Sequence, residues 1–278
     1  MGPSADLNVC PENEPLGKFI GNHAHSNGRY GLRIFHAFTP RTYPCKPVSY
    51  DSTNTTDPYW QNPLITANFY NLTSWKNKRN GAMVGYAGDV RFNYFKVADN
   101  ILAGMEMEKS NQTGDGKAIY RDSTAVGRTE NTELYLEIAS PNGIITPRTE
   151  NFTVDNVRFY NYDWNEASAL RDCSHCFFPT SSDSGARTVV VRNLYFDSSV
   201  TQRIRYTFPF KGIWFDETGE LTGLGPNTWA MAWHKHNEWP ECTTNFQVYD
   251  GHVCDSSVQV RRLAFHAYTP ESTLKGLP

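Results

Sequence analysis

The stretch Thr-Val-Asp-Asn-Val-Arg-Phe-Tyr at residues 153–160 returns in altered form as Val-Val-Val-Arg-Asn-Leu-Tyr-Phe at 189–196 and as Val-Gln-Val-Arg-Arg-Leu-Ala-Phe at 258–265. Each copy holds an apolar residue, two further residues, a second apolar residue, one residue and a third apolar residue. The same spacing occurs at residues 92–97, and the four patterns begin 62, 37 and 69 residues apart. This spacing is too irregular for a propeller, but it fits a coiled solenoid with loops of varied length.

A second recurrence places asparagine a few residues before a glycine that opens a short apolar strand. Asn77 and Asn100 are 23 residues apart, about one coil of a parallel β-helix, and precede Gly81 and Gly104. Stacked coils bring equivalent side chains to about 4.8 Å from each other, where asparagine amides can hydrogen-bond in a row. We therefore predict an all-β fold with an asparagine ladder made of Asn22, Asn27, Asn77 and Asn100.

The predicted architecture is a right-handed parallel β-helix, a pectin-lyase-like solenoid with inserted loops; a β-sandwich is the structural alternative. No linker rich in proline, glycine or serine divides the chain, so residues 1–278 are expected to form a single domain. A short helix is expected near Trp164–Arg171. The net charge of −3 gives no basic footprint for nucleic acid, and no apolar run reaches the length of about 18 residues that a membrane span needs.

Cysteines and glycosylation sequons indicate an extracellular or cell-surface chain. The even number of cysteines suits three disulfides, and their order in the sequence suggests the pairs Cys10–Cys45, Cys173–Cys176 and Cys242–Cys254. The four Asn-X-Ser/Thr sequons predict N-glycans at Asn54, Asn71, Asn111 and Asn151. The first residues lack a secretory signal, so we expect the sequence to be a piece of a longer protein.

Several segments resemble the fibrocystin and fibrocystin-L-like family. They are Glu-Pro-Leu-Gly-Lys-Phe-Ile-Gly-Asn-His-Ala-His-Ser-Asn (14–27), Leu-Arg-Asp-Cys-Ser-His-Cys (170–176) and Ile-Trp-Phe-Asp-Glu-Thr-Gly-Glu-Leu-Thr-Gly (213–223). The resemblance implies very large surface or secreted glycoproteins with G8 domains and parallel β-helix repeats, several of them at cilia. It also implies a relation to a cell-migration-inducing, hyaluronan-binding protein.

From this resemblance we expect a non-enzymatic structural segment, a rigid rod or coat element at the cell surface, with the ciliary surface as one expected location. The expected partners are flanking domains of the same parent protein, other copies of it, and glycans. The alternative is a β-helix that binds or depolymerises a hyaluronan-like polysaccharide, as a hydrolase or a lyase. A receptor ectodomain for a protein ligand is a third hypothesis that the sequence does not distinguish.

Candidate metal sites are few, and each has a structural alternative. Asp216, Glu217 and Glu220 surround a glycine as in a calcium loop, although a capped surface turn is the simpler expectation. Zinc could be held by Cys173 and Cys176 together with the histidines His234 and His236, although a disulfide is the simpler expectation. His23 and His25 share one face of a strand but lack a third ligand nearby.

Carboxylates that could serve polysaccharide cleavage are present, but no motif unites them. Inverting hydrolysis needs two carboxyl groups about 6.5 to 9.5 Å apart, and a lyase needs a base. The residues considered for these roles are Asp89, Arg91, Asp99, Asp155 and Asp163. The catalytic residues therefore remain unassigned by the sequence.

Overall fold

The fold is that of a computed structural model of the chain. The described residues are 9–45, 62–110, 116–130, 142–164, 166–172, 188–206, 212–232, 239–245, 247–249 and 251–260. Within these ranges all regular elements are β-strands, which confirms the all-β class. The helix expected near Trp164–Arg171 is wrong for the described part of that segment, because Ser168–Arg171 is a strand whose residues 168–170 are buried. The described residues contain no apolar helix long enough to cross a membrane.

The strands are short, and many contain two to five residues. In chain order they are β1 (Phe19–Ile20), β2 (His23–His25), β3 (Tyr30–Phe38), β4 (Ala67–Tyr70), β5 (Thr73–Trp75), β6 (Asn80–Ala87), β7 (Val90–Asn93), β8 (Lys96–Ala98), β9 (Ala103–Ser110), β10 (Ala118–Val126), β11 (Asn142–Ile145), β12 (Phe152–Tyr160), β13 (Ser168–Arg171), β14 (Thr188–Arg192), β15 (Tyr195–Phe196), β16 (Ile204–Arg205), β17 (Ile213–Asp216), β18 (Thr228–Ala232), β19 (Cys242–Thr244), β20 (Val248–Tyr249) and β21 (Gly251–Cys254).

Two sheets take up these strands in alternation along the chain. The first sheet follows the order β1-β4-β7-β10-β12-β14-β17-β18-β21-β19, and the second follows β20-β16-β13-β11-β9-β6-β3. Pairing is parallel throughout the second sheet and from β1 to β17 in the first. Parallel neighbours far apart in sequence need crossover connections, and here each crossover passes through the other sheet. This pairing does not fit the antiparallel sheets of a β-sandwich.

The repeated apolar pattern lies in register inside the first sheet. Tyr120 pairs with Phe92 on one side and with Val154 on the other, and Val154 pairs with Val191. All four side chains are fully buried. Residue Phe159, at the third position of the pattern, pairs with Phe196, and the two rings stack with centroids 5.4 Å apart. The first three copies of the pattern therefore form the core; most of the fourth, at 258–265, lies outside the described residues.

Each turn of the first sheet bends at a residue with a left-handed backbone. One set of successive bends has φ between +52° and +67° at Gly21, Asn71, Tyr94, Asp122, Asn156 and Asn193. A second set bends at Ser26, Lys76, Asp99 and Asn161. Asparagine and aspartate tolerate this conformation better than most residues, which explains why these two types supply six of the ten positions.

The parallel register of the first sheet ends at β17. From there β17, β18, β21 and β19 pair in antiparallel fashion. At the opposite side of the sheets, β1 and β3 are the terminal strands of their sheets, and β2 pairs with β5 alone among the described strands. The two sides of the described fold are therefore built differently.

Candidate functional site

A row of asparagine side chains connects three successive turns at the corner before β3, β6 and β9. Asn27 Nδ2 donates to Asn77 Oδ1 at 2.9 Å, and Asn77 Nδ2 donates to Asn100 Oδ1 at 2.9 Å. The backbone amides of Asn27 and Asn77 also donate to these oxygens, each at 3.2 Å. Asn77 is fully buried, so these bonds satisfy polar groups that water does not reach.

Asn22 does not belong to this row, which corrects the sequence prediction. Ile20 pairs with Tyr70 and His23 with Thr73, so Asn22 aligns with Leu72 and not with another asparagine. Its side chain is exposed in the bend between β1 and β2. The resemblance of residues 22 and 27 in sequence hid this difference, because each is followed within five residues by the start of a strand.

Glycines stand beside the row where the chain turns into the second sheet. A Cβ atom on Gly81 would lie 2.6 Å from the Gly104 carbonyl oxygen and 2.9 Å from Asn100 Nδ2. A Cβ atom on Gly104 would lie 2.8 Å from the Gly143 carbonyl oxygen. Contacts this short allow only glycine, which explains the pairing of asparagine with a following glycine in the sequence.

The three carboxylates considered for calcium point to different partners. Asp216 is fully buried, and its oxygens accept from the backbone amides of Gly219 and Thr222, both at 2.9 Å. Burial raises the pKa of Asp216, although these amide donors oppose the shift. Glu217 pairs with Arg192 at 3.2 Å, and Glu220 accepts from the Thr218 hydroxyl.

This arrangement is a capped turn closed by Asp216. Among the described residues, no group of three His, Cys, Asp or Glu side chains is placed to hold a metal ion. His234, His236, Cys173 and Cys176 lie outside the described residues. His23 and His25 both contact the Trp75 ring, and His25 stacks on it with centroids 4.3 Å apart.

Of the carboxylates considered for catalysis, Asp89 and Asp99 are engaged by local partners, whereas Asp163 is exposed. Asp89 accepts from the Lys117 amide at 3.1 Å and pairs with Arg91 at 2.7 Å. Burial acts to raise the pKa of Asp89, but hydrogen bonds from Thr66 and Lys117 and the Arg91 charge lower it below its ordinary value. Asp99 accepts from the amide and the hydroxyl of Thr129, both at 2.7 Å.

A row of charged side chains on the outer face of the first sheet was not among the predicted sites. Arg192 pairs with Asp155 at 2.9 Å and with Glu217 at 3.2 Å. Arg121, one turn before Asp155, donates through Nε to Asn93 Oδ1 at 2.6 Å. A signal was present in the sequence, because Asp155 and Arg192 each directly follow the first apolar residue of their repeat, Val154 and Val191.

Two disulfides are present among the described residues. Cys10 and Cys45 are joined with their Cα atoms 5.4 Å apart, and Cys242 and Cys254 with theirs 4.0 Å apart. The second disulfide links β19 to β21 within the antiparallel strands. Both pairs are the ones that the cysteine order suggests.

The two described sequons differ in exposure. Asn71 is exposed at its left-handed bend, and its backbone N–H donates to the Asn93 carbonyl oxygen. Asn151 is half-buried, and its sequon residue Thr153 is buried. Asn54 and Asn111 lie outside the described residues. Of the two described sequons, that of Asn71 leaves more room for a glycan.

Comparison with known proteins gives a consistent result. No protein-family profile matches the chain. The chain is 28% identical to human Fibrocystin-L over 283 residues, which is 99% of this chain and 6% of that protein. It is 27% identical to mouse Fibrocystin over 254 residues, 90% of this chain and 5% of that protein. The chain thus spans about 5 to 6% of the length of the curated relatives it matches, and its similarity to them along nearly its whole length supports a fibrocystin-like family.

Proposed function

We propose that residues 1–278 form one right-handed parallel β-helix of the pectin-lyase-like kind, and that this unit is a non-enzymatic structural segment of a large fibrocystin-like cell-surface glycoprotein. The alternation of the chain between two parallel sheets supports the solenoid. The similarity to a short portion of very long relatives supports a segment within a larger protein.

The observation that carries the structural role is the way polar side chains bind one another from turn to turn. The asparagine row connects Asn27, Asn77 and Asn100, and Arg192 bridges Asp155 and Glu217 on the outer face. Groups that an active site would direct to a substrate are used here to hold neighbouring turns together. Such a stack is stiff along its axis, because each turn contacts its neighbours alone.

The terminal strands β1, β2 and β3 support the proposed partners. Parallel edge strands leave backbone donors and acceptors that another strand can pair. In the proposed protein, flanking segments of the same parent or other copies of it would supply those strands. The disulfides and the exposed Asn71 sequon support a location outside the cell. Within this proposal, that location is the cell surface, including the surface of the cilium.

Secretion of the chain from mammalian cells tests the location. Peptide mapping by mass spectrometry, with and without reduction and deglycosylation, should find a glycan on Asn71 and the pairs Cys10–Cys45 and Cys242–Cys254. The intact mass of an Asn71→Gln variant should be lower by the mass of one glycan. Unmodified Asn71 together with free thiols would reject the extracellular proposal.

A second candidate function, binding or depolymerising a hyaluronan-like polysaccharide, is favoured by exposed stacked rings. Tyr70 and Tyr94 stack with centroids 6.5 Å apart, and Tyr94 is 50% exposed; such rings can pack on sugars. Incubation with hyaluronan and pectin-type polymers, followed by measurement of polymer length, separates the structural function from depolymerisation. The structural function predicts unchanged length, and shortened polymer would establish an enzyme.

A further inference from the structure

The overall charge of −3 hides a strong division of charge along the chain. Residues 15–98 contain 10 Lys and Arg against 3 Asp and Glu, whereas residues 99–278 contain 16 against 23. The first of these parts therefore carries +7 and the second −7, and residues 1–14, with three Asp and Glu and no Lys or Arg, supply the remaining −3. The positive charge lies in the first turns of the described fold.

Basic side chains concentrate at the corner that leads into β3 and β6. Tyr30 pairs with Asn80, and the Arg79 amide donates to the Arg29 carbonyl at 2.9 Å. Arg29 and Arg79 are thus neighbours on adjacent strands, about 4.8 Å apart along the stack. Lys78 lies beside Arg79, and Arg33 follows in β3; all four side chains are exposed. We call Arg29, Arg33, Lys78 and Arg79 the basic corner.

Two of the three guanidinium groups of the basic corner, those of Arg33 and Arg79, lie over aromatic rings. Arg33 lies 5.2 Å from the centre of the Tyr30 ring and 4.0 Å from that of Phe35, and Arg79 lies 5.9 Å from the Tyr30 ring. These are cation–π distances. Among the described residues, no carboxylate forms an ion pair with the basic corner. By contrast, Arg192 in the later turns has two carboxylate partners.

Adjacent like charges repel each other, and an external anion would remove that cost. Guanidinium groups fit carboxylate and sulfate oxygens through paired hydrogen bonds. A protein partner would need an apolar centre, whereas the large exposed hydrophobic side chain of β3 is the single ring of Phe35, against which the Arg33 guanidinium lies. A linear polyanion needs no such centre.

We infer that the basic corner is a binding site for an anionic polysaccharide, whose sulfate or carboxylate groups Arg29 and Arg79 engage together. This inference rests on the proposed extracellular location, since such polymers occur outside the cell. It does not depend on whether the segment also serves as a rigid rod.

The test measures binding of size-defined heparin and hyaluronan chains to the immobilised, secreted protein at about 0.15 M salt. Heparin presents sulfates and hyaluronan presents carboxylates alone, so the two probes separate the anionic groups. The double variant Arg29→Gln/Arg79→Gln should bind the polymer at least about tenfold more weakly than the wild type. The control Lys117→Gln/Arg158→Gln removes the same charge from exposed positions in later turns and should change affinity less than about twofold. Circular dichroism checks that both variants fold.

Three results would overturn the inference. The first is absence of binding to either polymer, and the second is an equal loss of binding in the control variant. The third is absence of polymer binding together with salt-sensitive self-association of the protein in sedimentation velocity, where Arg29→Gln/Arg79→Gln abolishes the self-association. That result would assign the basic corner to contact with the acidic part of a second copy. None of these results bears on the glycan and disulfide mapping that tests the extracellular proposal.

Discussion

In the first turns of the fold, Asn27, Asn77 and Asn100 bind one another across three successive strands. At the last parallel strand, the buried side chain in the core column is Asp216, which pairs in register with Val191 and accepts from the amides of Gly219 and Thr222. An amide both donates and accepts, so asparagine can stack on asparagine without limit. An ionised carboxylate accepts alone, so it cannot stack on its own kind, and Asp216 takes its donors from the backbone amides and the Thr222 hydroxyl of its own turn.

The difference explains why one polar group repeats and the other occurs once. The asparagine row is compatible with parallel stacking from turn to turn, whereas the Asp216 turn draws the chain away into the antiparallel strands β18, β19 and β21. The two regions also offer different partners to individual arginines, since Arg33 and Arg79 of the basic corner lie over aromatic rings, whereas Arg192 pairs with Asp155 and Glu217. Four predictions test this contrast.

Asn77→Ala should break the early turns and have the largest effect. Its removal takes the Asn77 side chain away from Asn27 Nδ2, Asn100 Oδ1 and Ser74 Oγ. Asn100 Oδ1 keeps the backbone amide of residue 77 and Ser74 Oγ keeps the Gly81 carbonyl, but three side-chain hydrogen bonds are lost at a buried position, which is costly. We expect the free energy of unfolding to fall by about 3 kcal/mol in urea titrations. The control Asn22→Ala, exposed and outside the row, should change it by less than about 0.5 kcal/mol; equal effects would contradict the row as a source of stability.

Gly81→Ala should destabilise the same corner by a different route. The added methyl group would meet the Gly104 carbonyl oxygen at 2.6 Å, and backbone cannot move aside as a side chain can. A loss of about 2 kcal/mol is expected. Gly28→Ala provides the matched control, because a Cβ atom there meets nothing within 4 Å, and thermal unfolding of the two variants should differ clearly.

The pH dependence of stability should have opposite signs in the two regions. The raised pKa of Asp216 means that its contribution is fully present below its ordinary pKa of 3.8 and is lost as the pH rises through the folded-state value. The lowered pKa of Asp89 means that its contribution is present above 3.8 and is lost as the pH falls through the folded-state value.

Urea unfolding of Asp216→Asn and Asp89→Asn between about pH 3 and pH 7 measures these two contributions. The stability of Asp216→Asn relative to the wild type should increase as the pH rises, and that of Asp89→Asn should decrease. Parallel curves for the two variants would show that burial does not dominate at Asp216.

The smallest expected effects concern the arginines. Arg192→Gln removes two ion pairs of a side chain that is 38% exposed, so it should cost about 0.5 kcal/mol and less at high salt. Arg79→Gln should change stability less than Arg192→Gln does, because it relieves repulsion from Arg29 while it loses the contact with the Tyr30 ring. Unfolding at low and high salt distinguishes the two variants, and a comparable loss in Arg79→Gln would show that repulsion from Arg29 does not offset the ring contact.

Much of the core could be predicted because its side chains repeat. Val154, Val157 and Phe159 have counterparts at the same spacing in 189–196, and strands with identical patterns pair in register. The turn between the patterns at 92–97 and 153–160 was not recognised. In that turn Tyr120 and Ala125 occupy the core positions of the first and third apolar residues, while the middle position is the polar Ser123, whose hydroxyl accepts from the Phe95 amide.

The sequence by itself determined the strand type. It also indicated an asparagine row that contains Asn27, Asn77 and Asn100 and suggested the cysteine pairs at 10–45 and 242–254, because residue order and residue chemistry favour them. Tertiary structure alone decided that Asn22 faces solvent, that Glu217 meets Arg192, and that Arg29 lies beside Arg79. Those outcomes depend on register between strands whose connecting loops differ in length. A shift of one residue would exchange the inner and outer faces of a strand, and only the packed sheets fix that choice.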